Sequence, residues 1–250
     1  MERFSGGCTC VTPLYYKKMP TGPTRPAPAL ALFDIDGTLL RRAGPHHRTA
    51  LVDAVERVSG VRVTIDGIPV QGMLDRDIIT WMMRSSGVSL RQIRVLMPEI
   101  MAKAQSLYVR RCPDLTRKLC PGVRGALRKL ERGGVPMGLV TGNLSRIGWR
   151  KMDRAGLKGF FRFGAFAEQG HTRDVLARLA VRQARREGWI DRSSVVVLVG
   201  DHPNDIKAAR SAGARSVAVG TGLCSQEELA AHAPDHLLPD LRHFRLEMLK

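Results

Sequence analysis

A short apolar segment that ends abruptly in two carboxylates constrains the fold of this chain more than any other feature. Residues 28–33 are apolar, and Asp34, Asp36 and Gly37 follow at once. A continuous apolar run of this length is typical of a buried parallel strand, and the glycine allows the backbone to turn away. Acidic residues at the carboxyl end of such a strand lie where open α/β sheets bind ligands. The alternative is an aspartate pair that only shapes a turn.

Two further segments repeat the pattern of an apolar strand followed by polar residues. Residues 136–140 run into Thr141, and residues 194–199 run into Gly200 and Asp201. Parallel strands bring their carboxyl ends to one edge of the sheet, so we expect these polar residues to meet there.

Together these segments resemble the haloacid dehalogenase superfamily. The matching motifs are Asp34-x-Asp36-Gly-Thr-Leu, then Thr141, then Gly200-Asp201-x-x-x-Asp205. The resemblance runs from about Ala29 to the late 230s, and the three motifs come in the family's order, each at a strand end.

The rest of the chain alternates between helical and strand patterns, which predicts an α/β fold with a three-layer, mostly parallel, Rossmann-like sheet. Helices are predicted at 122–132, 143–155, 172–187 and 203–212, and strands at 135–140, 162–166, 194–199 and 215–219.

A helical insert interrupts this alternation. Helical spacing of apolar residues occurs at 49–58, 77–83 and 93–109, which predicts three to five helices and no strand. An insert directly after the first strand is similar to the C1 cap of the superfamily. We therefore predict a flexible, proline-containing leader at 1–28, a catalytic core at 29–44 and 116–250, and a helical cap at 45–115.

The resemblance implies that Asp34 is a nucleophile that forms an aspartyl-phosphate. It also implies that Mg²⁺ is held by Asp34, by the backbone carbonyl of Asp36, by Asp201 and, in support, by Asp205. Oxygen ligands suit Mg²⁺, which would reduce the repulsion between a carboxylate and a phosphate dianion. Asp201 and Asp205 are also placed to cap the helix that follows them.

Asp36 would protonate the leaving alkoxide and later activate water. Superfamily members that break carbon–halogen bonds lack aspartate at this position, so Asp36 implies phosphoryl chemistry instead.

The resemblance assigns phosphate binding to the residues after the second strand and to one cation. Thr141, Gly142 and Asn143 would donate hydrogen bonds to phosphoryl oxygens, although Thr141 is also placed to cap the next helix. Arg173 opens the predicted helix before Asp201 and is chosen over Lys158 as the cation; a solvated surface arginine is the alternative.

In the helical insert, Gly72 and Arg76 lie in a segment that resembles the substrate-specificity loop of capped relatives. Those relatives often carry threonine where this chain has Met73. Arg76 could bind a substrate carboxylate or a second phosphate, or lie at the surface. His46 follows Asp36 by ten residues, as a histidine does in β-phosphoglucomutases, and could also be a solvated linker histidine.

The chain has a formal net charge of +17. Its basic residues are scattered and are not interleaved with aromatic side chains, which favours attraction of a small anionic phosphate ester over nucleic-acid binding. No apolar run approaches the roughly 18 residues that a membrane helix needs, and no secretory signal is visible. Five irregularly spaced cysteines fit reduced thiols, so we expect a cytoplasmic protein.

These observations predict a Mg²⁺-dependent phosphatase, similar to phosphoglycolate phosphatases, that acts on a small phosphate monoester. One alternative is a sugar phosphomutase, which His46 favours. The other is a basic nucleic-acid-associated protein or phosphatase, which the net charge favours.

Overall fold

The computed structural model describes residues 26–41 and 44–250. A six-stranded parallel sheet forms its centre, with strands in the spatial order β3-β2-β1-β4-β5-β6. The predicted α/β fold is therefore confirmed. The strands are β1 (Ala27–Phe33), β2 (Met137–Val140), β3 (Phe163–Ala165), β4 (Ile190–Gly200), β5 (Arg215–Val219) and β6 (His236–Leu238).

Helices connect the strands and cover the sheet. In chain order they are α1 (His46–Ser59), α2 (Asp75–Ser85), α3 (Leu90–Arg111), α4 (Val123–Arg132), α5 (Ser145–Arg154), α6 (Arg173–Arg186), α7 (Pro203–Ser211) and α8 (Gln226–Ala231). Helices α6 and α7 pack against each other on the sheet. Right-handed crossovers place α4 and α5 on the opposite face, because their strands step the other way along the sheet.

Strand β1 lies at the middle of the sheet and is apolar because both of its faces are covered. Residues 29–33 are at most 2% exposed. Phe33 pairs with Leu139 of β2 and with Val199 of β4, so three strands end side by side. The strand order reverses between β1 and β4, which is where doubly wound sheets open a ligand-binding crevice.

The helical insert, residues 45–115, contains helices α1, α2 and α3 and, within the described residues, no strand. Helix α3 packs along α1 and also contacts α5. The number of helices agrees with the sequence pattern, while the division into core and cap domains stays a prediction. The predicted leader lies outside the described residues up to residue 25, and β1 begins at Ala27.

Most predicted elements lie within a few residues of those observed, and three differ. Strand β4 begins at Ile190 rather than 194, because Ile190 pairs with Ala27 across a shift in register. Helix α8 and strand β6 were not predicted. Both are short, and β6 forms by pairing with β5 rather than from its own pattern.

None of the helices in residues 26–41 and 44–250 combines the length and the apolar character needed to cross a lipid bilayer.

Candidate active site

Three buried carboxylates meet where β1 and β4 end. Asp34 follows β1, Asp201 follows β4, and Asp205 lies in the first turn of α7. One carboxylate oxygen from each lies within 4.8 Å of the other two. The hydroxyl of Thr38 donates to Asp201 Oδ1 at 2.8 Å and orients that carboxylate. We call these three residues the carboxylate cluster.

Glycine at position 37 is a condition of this geometry. Gly37 has φ +90°, and a Cβ atom there would lie 2.1 Å from the carboxylate of Asp201. Any other residue would therefore strain the turn and displace Asp201. The turn after β1 and the carboxyl end of β4 are consequently packed as one unit.

Arg173 is the cation paired with the carboxylate cluster among the described residues. It begins α6, and its side chain is 6% exposed. Its Nη1 donates to Asp34 Oδ1 at 2.7 Å and lies 3.4 Å from Asp205 Oδ1. Burial works against the charge, but Asp34 and Asp205 raise the pKa of the Arg173 guanidinium. Lys158, the other candidate, lies on a 3-10 turn and does not line the cavity described below.

The cluster holds more negative charge than one arginine can balance. Burial, followed by the charges of Asp34 and Asp205, raises the pKa of Asp201 well above its usual value. Burial raises the pKa of Asp205 to about 7, against the opposing charge of Arg173.

Oδ1 of Asp205 is buried and accepts no hydrogen bond within the described structure. Three converging carboxylates with surplus charge and a buried oxygen that accepts no hydrogen bond fit a divalent cation. Asp205 also has the predicted capping role, because its Oδ2 accepts from His202 N at the start of α7.

Asp36 lies two residues from Asp34 but has a different environment. Its Oδ2 accepts from Lys151 Nζ at 2.5 Å and from Asn143 Nδ2 at 2.9 Å. Its side chain is 42% exposed. Burial would raise the pKa of Asp36, but the charge of Lys151 and these hydrogen bonds hold it below its usual value. Asp36 is thus a charge-balanced carboxylate that is open to the cavity.

The residues after β2 form a short loop beside both aspartates. Thr141 is fully buried, and its Oγ1 accepts from Asn143 Nδ2 at 2.8 Å. Its own hydroxyl proton is therefore free to be donated. Thr141 does not cap α5: the cap residue is Leu144, and no side chain of its own accepts there. The residues 141–144 are called the phosphate loop below, after the role the sequence predicts.

Asp75 of the helical insert forms two hydrogen bonds to the backbone of the phosphate loop. Its backbone N donates to Gly142 O, and its Oδ2 accepts from Leu144 N, both at 2.8 Å. Glu168 supports the next residue of the chain in a similar way, by accepting from Ser145 N. Burial raises the pKa of Glu168 against the effect of these hydrogen bonds.

Asp34 and Asp201 of the carboxylate cluster, Asp36, and residues 141–143 of the phosphate loop border one cavity of about 1010 Å³ between the sheet edge and the helical insert. Four basic residues lie around it, and their side chains form no ion pair within the described structure: Arg41, Arg48, Arg117 and Lys118. The cavity can therefore attract an anionic ligand toward the strand ends.

The three candidate residues of the insert differ in whether they line the cavity. Gly72 lines the cavity, has φ +64°, and a Cβ atom there would lie 2.4 Å from the ring of His202. Arg76 does not line it; its Nη1 lies 2.7 Å from His171 Nδ1. His46 begins α1 and does not line it either, whereas the next residue, His47, does.

Sequence reasoning missed two residues that contact Asp36 or its partners. Lys151 lies on the buried face of α5, four residues after Ile147, and only 1% of its side chain is exposed. A lysine at an apolar position of an amphipathic helix was the available signal. His47 gave no such signal, and the spacing of the family pointed to the preceding residue, His46, instead.

Comparisons with known proteins agree with this geometry. Residues 28–213, well over half of the chain, match the family model of haloacid dehalogenase-like hydrolases. A phosphoglycolate phosphatase from Synechococcus elongatus is 33% identical over 122 residues, which cover 48% of this chain and 55% of that protein. One from Pseudomonas putida is 27% identical over 228 residues, 86% of this chain and 78% of the other.

A solved structure shares the fold. The β-phosphoglucomutase of Clostridium difficile superposes with a TM-score of 0.64 at 17% identity, over 88% of this chain and 94% of that one. Together with the matched family model and the carboxylates at the ends of β1 and β4, these similarities identify the chain as a member of the haloacid dehalogenase-like hydrolase family.

Proposed function

We propose that this protein is a phosphatase that hydrolyses a small phosphate monoester through an aspartyl-phosphate on Asp34. One observation carries the proposal: Asp34 and Asp36 border the same cavity, but one faces a charge-rich cluster and the other a charge-balanced one. Two carboxylates in different environments suit two different tasks in one reaction.

In the first step an oxygen of Asp34 attacks phosphorus, and the bond to the ester oxygen breaks. Asp36 gives its proton to the leaving alkoxide. In the second step Asp36 takes a proton from water, which attacks phosphorus and releases inorganic phosphate and the Asp34 carboxylate. The lowered pKa of Asp36 makes its protonated form a stronger acid for the first step and favours the ionised form that the second step needs.

Asp34, Asp201 and Asp205 would hold Mg²⁺, with the backbone carbonyl of Asp36. When bound, the ion neutralises charge on the transferring phosphoryl group. The surplus charge of the carboxylate cluster supports a divalent cation, and the all-oxygen ligand set supports Mg²⁺.

The phosphoryl oxygens would be bound by the phosphate loop and by Arg173. The free hydroxyl proton of Thr141 and the loop amides can donate to them. Arg173 also keeps Asp34 oriented through its hydrogen bond at 2.7 Å.

The substrate is expected to be a small anionic ester, with phosphoglycolate and sugar phosphates as the two classes to compare. The names of the sequence relatives support the first class. The cavity of about 1010 Å³ also has room for the second.

The test is a screen of phosphorylated metabolites with Mg²⁺ or with a chelator, including phosphoglycolate, hexose phosphates and 4-nitrophenyl phosphate. We expect Mg²⁺-dependent release of phosphate, and we expect Asp34→Asn to abolish it while the circular dichroism spectrum is retained. Normal turnover by Asp34→Asn would refute the mechanism.

The same screen addresses the mutase alternative. A mutase would convert β-hexose 1-phosphate into the 6-phosphate without net phosphate release. His46, which favoured that alternative, lies outside the cavity lining, so no second function is proposed.

A further inference from the structure

Lys151 is a buried cation that the proposed reaction does not use. Its Nζ lies 2.5 Å from Asp36 Oδ2, 2.6 Å from Asn143 Oδ1 and 3.2 Å from His47 Nδ1. An ammonium group has three N–H donors and no acceptor, so these three contacts use all of them. Lys151 therefore has no donor left for a substrate, although it borders the cavity.

The contacts of Lys151 give the two carboxylate oxygens of Asp36 different surroundings. Oδ2 accepts from Lys151 and also from Asn143 Nδ2, and Asn143 accepts from Lys151 in turn. These three side chains close a ring that fixes the plane of the carboxylate. Oδ1 accepts no hydrogen bond from the described residues, so it is the oxygen available for proton transfer.

We propose that Lys151 is a positioning residue, which holds Asp36 by Oδ2 so that Oδ1 meets the reacting oxygen. The inference rests on the function proposed above, because only the proton transfers of Asp36 make its orientation matter. General acid–base catalysis depends on hydrogen-bond geometry to the reacting atom. A flexible aspartate, 42% exposed, would otherwise sample orientations that face water.

His47 of the helical insert provides the third acceptor for Lys151. Since an ammonium can only donate, His47 Nδ1 must accept, and its proton lies on Nε2. That nitrogen lies 3.0 Å from Asp75 Oδ2, the oxygen that also accepts from Leu144 N. The His47 ring contacts Tyr108 of α3 edge-on at 5.5 Å. The orientation of Asp36 is thus complete only when α1, α2 and α3 are seated on the core.

A double-mutant cycle tests whether Lys151 acts through Asp36. The four proteins are wild type, Lys151→Met, Asp36→Asn and the double variant, assayed with 4-nitrophenyl phosphate and Mg²⁺. We expect Lys151→Met to lower kcat by roughly 10²-fold, the cost of a misplaced reacting group, with KM changed less than threefold. In the Asp36→Asn background the same substitution should change kcat less than twofold. An equal loss in both backgrounds would refute the proposal.

The matched control is Arg150→Met, which removes a positive charge from the neighbouring position of α5. Arg150 pairs with Asp153 at 3.0 Å and does not border the cavity. We expect it to keep kcat within twofold. A loss as large as that of Lys151→Met would show that the charge of the helix matters and not the contact.

Chemical rescue separates positioning from packing. In Lys151→Ala, added ethylammonium should restore a fraction of kcat, and tetramethylammonium, which has no N–H, should not. Rescue should vanish in the Asp36→Asn background. Equal effects of the two cations would contradict the proposal.

Two further measurements cover the remaining outcomes. Should Lys151→Met fail to fold, His47→Phe replaces it as the test variant. This substitution keeps an aromatic ring beside Tyr108 but removes one of the three acceptors around Lys151 Nζ. We expect it to lower kcat only when Asp36 is present. If wild type hydrolyses none of the esters, the proposed function is wrong. Urea unfolding of the same four proteins then still decides whether Lys151 holds Asp36, because coupling between the two substitutions does not depend on turnover.

Discussion

The surroundings of Asp34 and of Asp36 differ although a single residue separates them. Asp34 shares a buried space with two other carboxylates and one arginine. Asp36 shares its space with one lysine and one amide that satisfy one of its oxygens. The first environment has surplus negative charge, and the second is balanced.

The difference shows how one strand end supports two kinds of chemistry. Surplus charge makes the Asp34 side a place for a cation and then for a phosphoryl group, whose binding relieves the repulsion. Balanced charge leaves Asp36 dependent on no added ion, so its orientation is fixed by the protein alone. Perturbing one side should therefore leave the other side largely unchanged.

Among substitutions of the residues around the two aspartates, the largest effect is expected from Arg173→Gln, which removes the one cation paired with the carboxylate cluster in the described structure. We expect kcat to fall by roughly 10²–10³-fold, as for the loss of one preorganised donor to a developing charge. Arg173→Lys, assayed in parallel with 4-nitrophenyl phosphate, should recover a fraction of it. An unchanged kcat in Arg173→Gln would mean that the two sides do not differ in the way described.

A smaller effect is expected from Thr38→Val, which keeps the shape of the side chain but removes the hydrogen bond to Asp201 at 2.8 Å. Partners that orient ligands typically contribute roughly 10–100-fold to metal affinity. The Mg²⁺ concentration that gives half-maximal activity should rise by such a factor, with kcat at saturating Mg²⁺ nearly unchanged. An unchanged Mg²⁺ requirement would show that Asp201 needs no support.

The smallest effect concerns stability without metal. The pKa of Asp205 is about 7 in the folded protein and near 3.8 in the unfolded chain, so folding favours its protonated form. Its contribution to stability must therefore fall as pH rises from about 4 to about 7. Asp205→Asn lacks this penalty. In the presence of a chelator, the Tm of the variant minus the Tm of wild type should therefore increase from pH 5 to pH 8.

The gain should be several degrees, at roughly 2–4 °C per kcal/mol for a chain of this size. Added Mg²⁺ should reverse it, because only wild type then has the full ligand set. A difference in Tm that does not change with pH would contradict the surplus charge assigned to the cluster.

The sequence predicted the Asp34 side better than the Asp36 side, for a physical reason. Asp34, Asp201 and Thr141 each follow an apolar strand, so a parallel sheet brings them together without knowledge of packing. Lys151 lies 115 residues from Asp36, and their contact depends on how α5 rotates against the sheet. The apolar pattern of α5 indicates that Lys151 is buried, but it does not indicate which carboxylate Lys151 contacts.

The histidines of α1 make the same point at finer scale. Spacing singled out His46, but one residue along a helix turns the side chain by about 100°, and it is His47 that borders the cavity. Arg173, in contrast, was predicted from the family resemblance, which requires a cation at the start of the helix before the strand that ends at Asp201, and Arg173 does begin α6.

The two hydrogen bonds between Asp75 and the phosphate loop have a consequence for redesign of this enzyme. One aspartate of the insert binds the loop's backbone on both sides, through Gly142 O and Leu144 N. A chimera that imports a foreign insert to change substrate preference would exchange more than the recognition surface. Unless the import brings an acidic residue in the place of Asp75, Leu144 N loses its acceptor, and the bond to Gly142 O persists only if the imported backbone places an N–H at the same point.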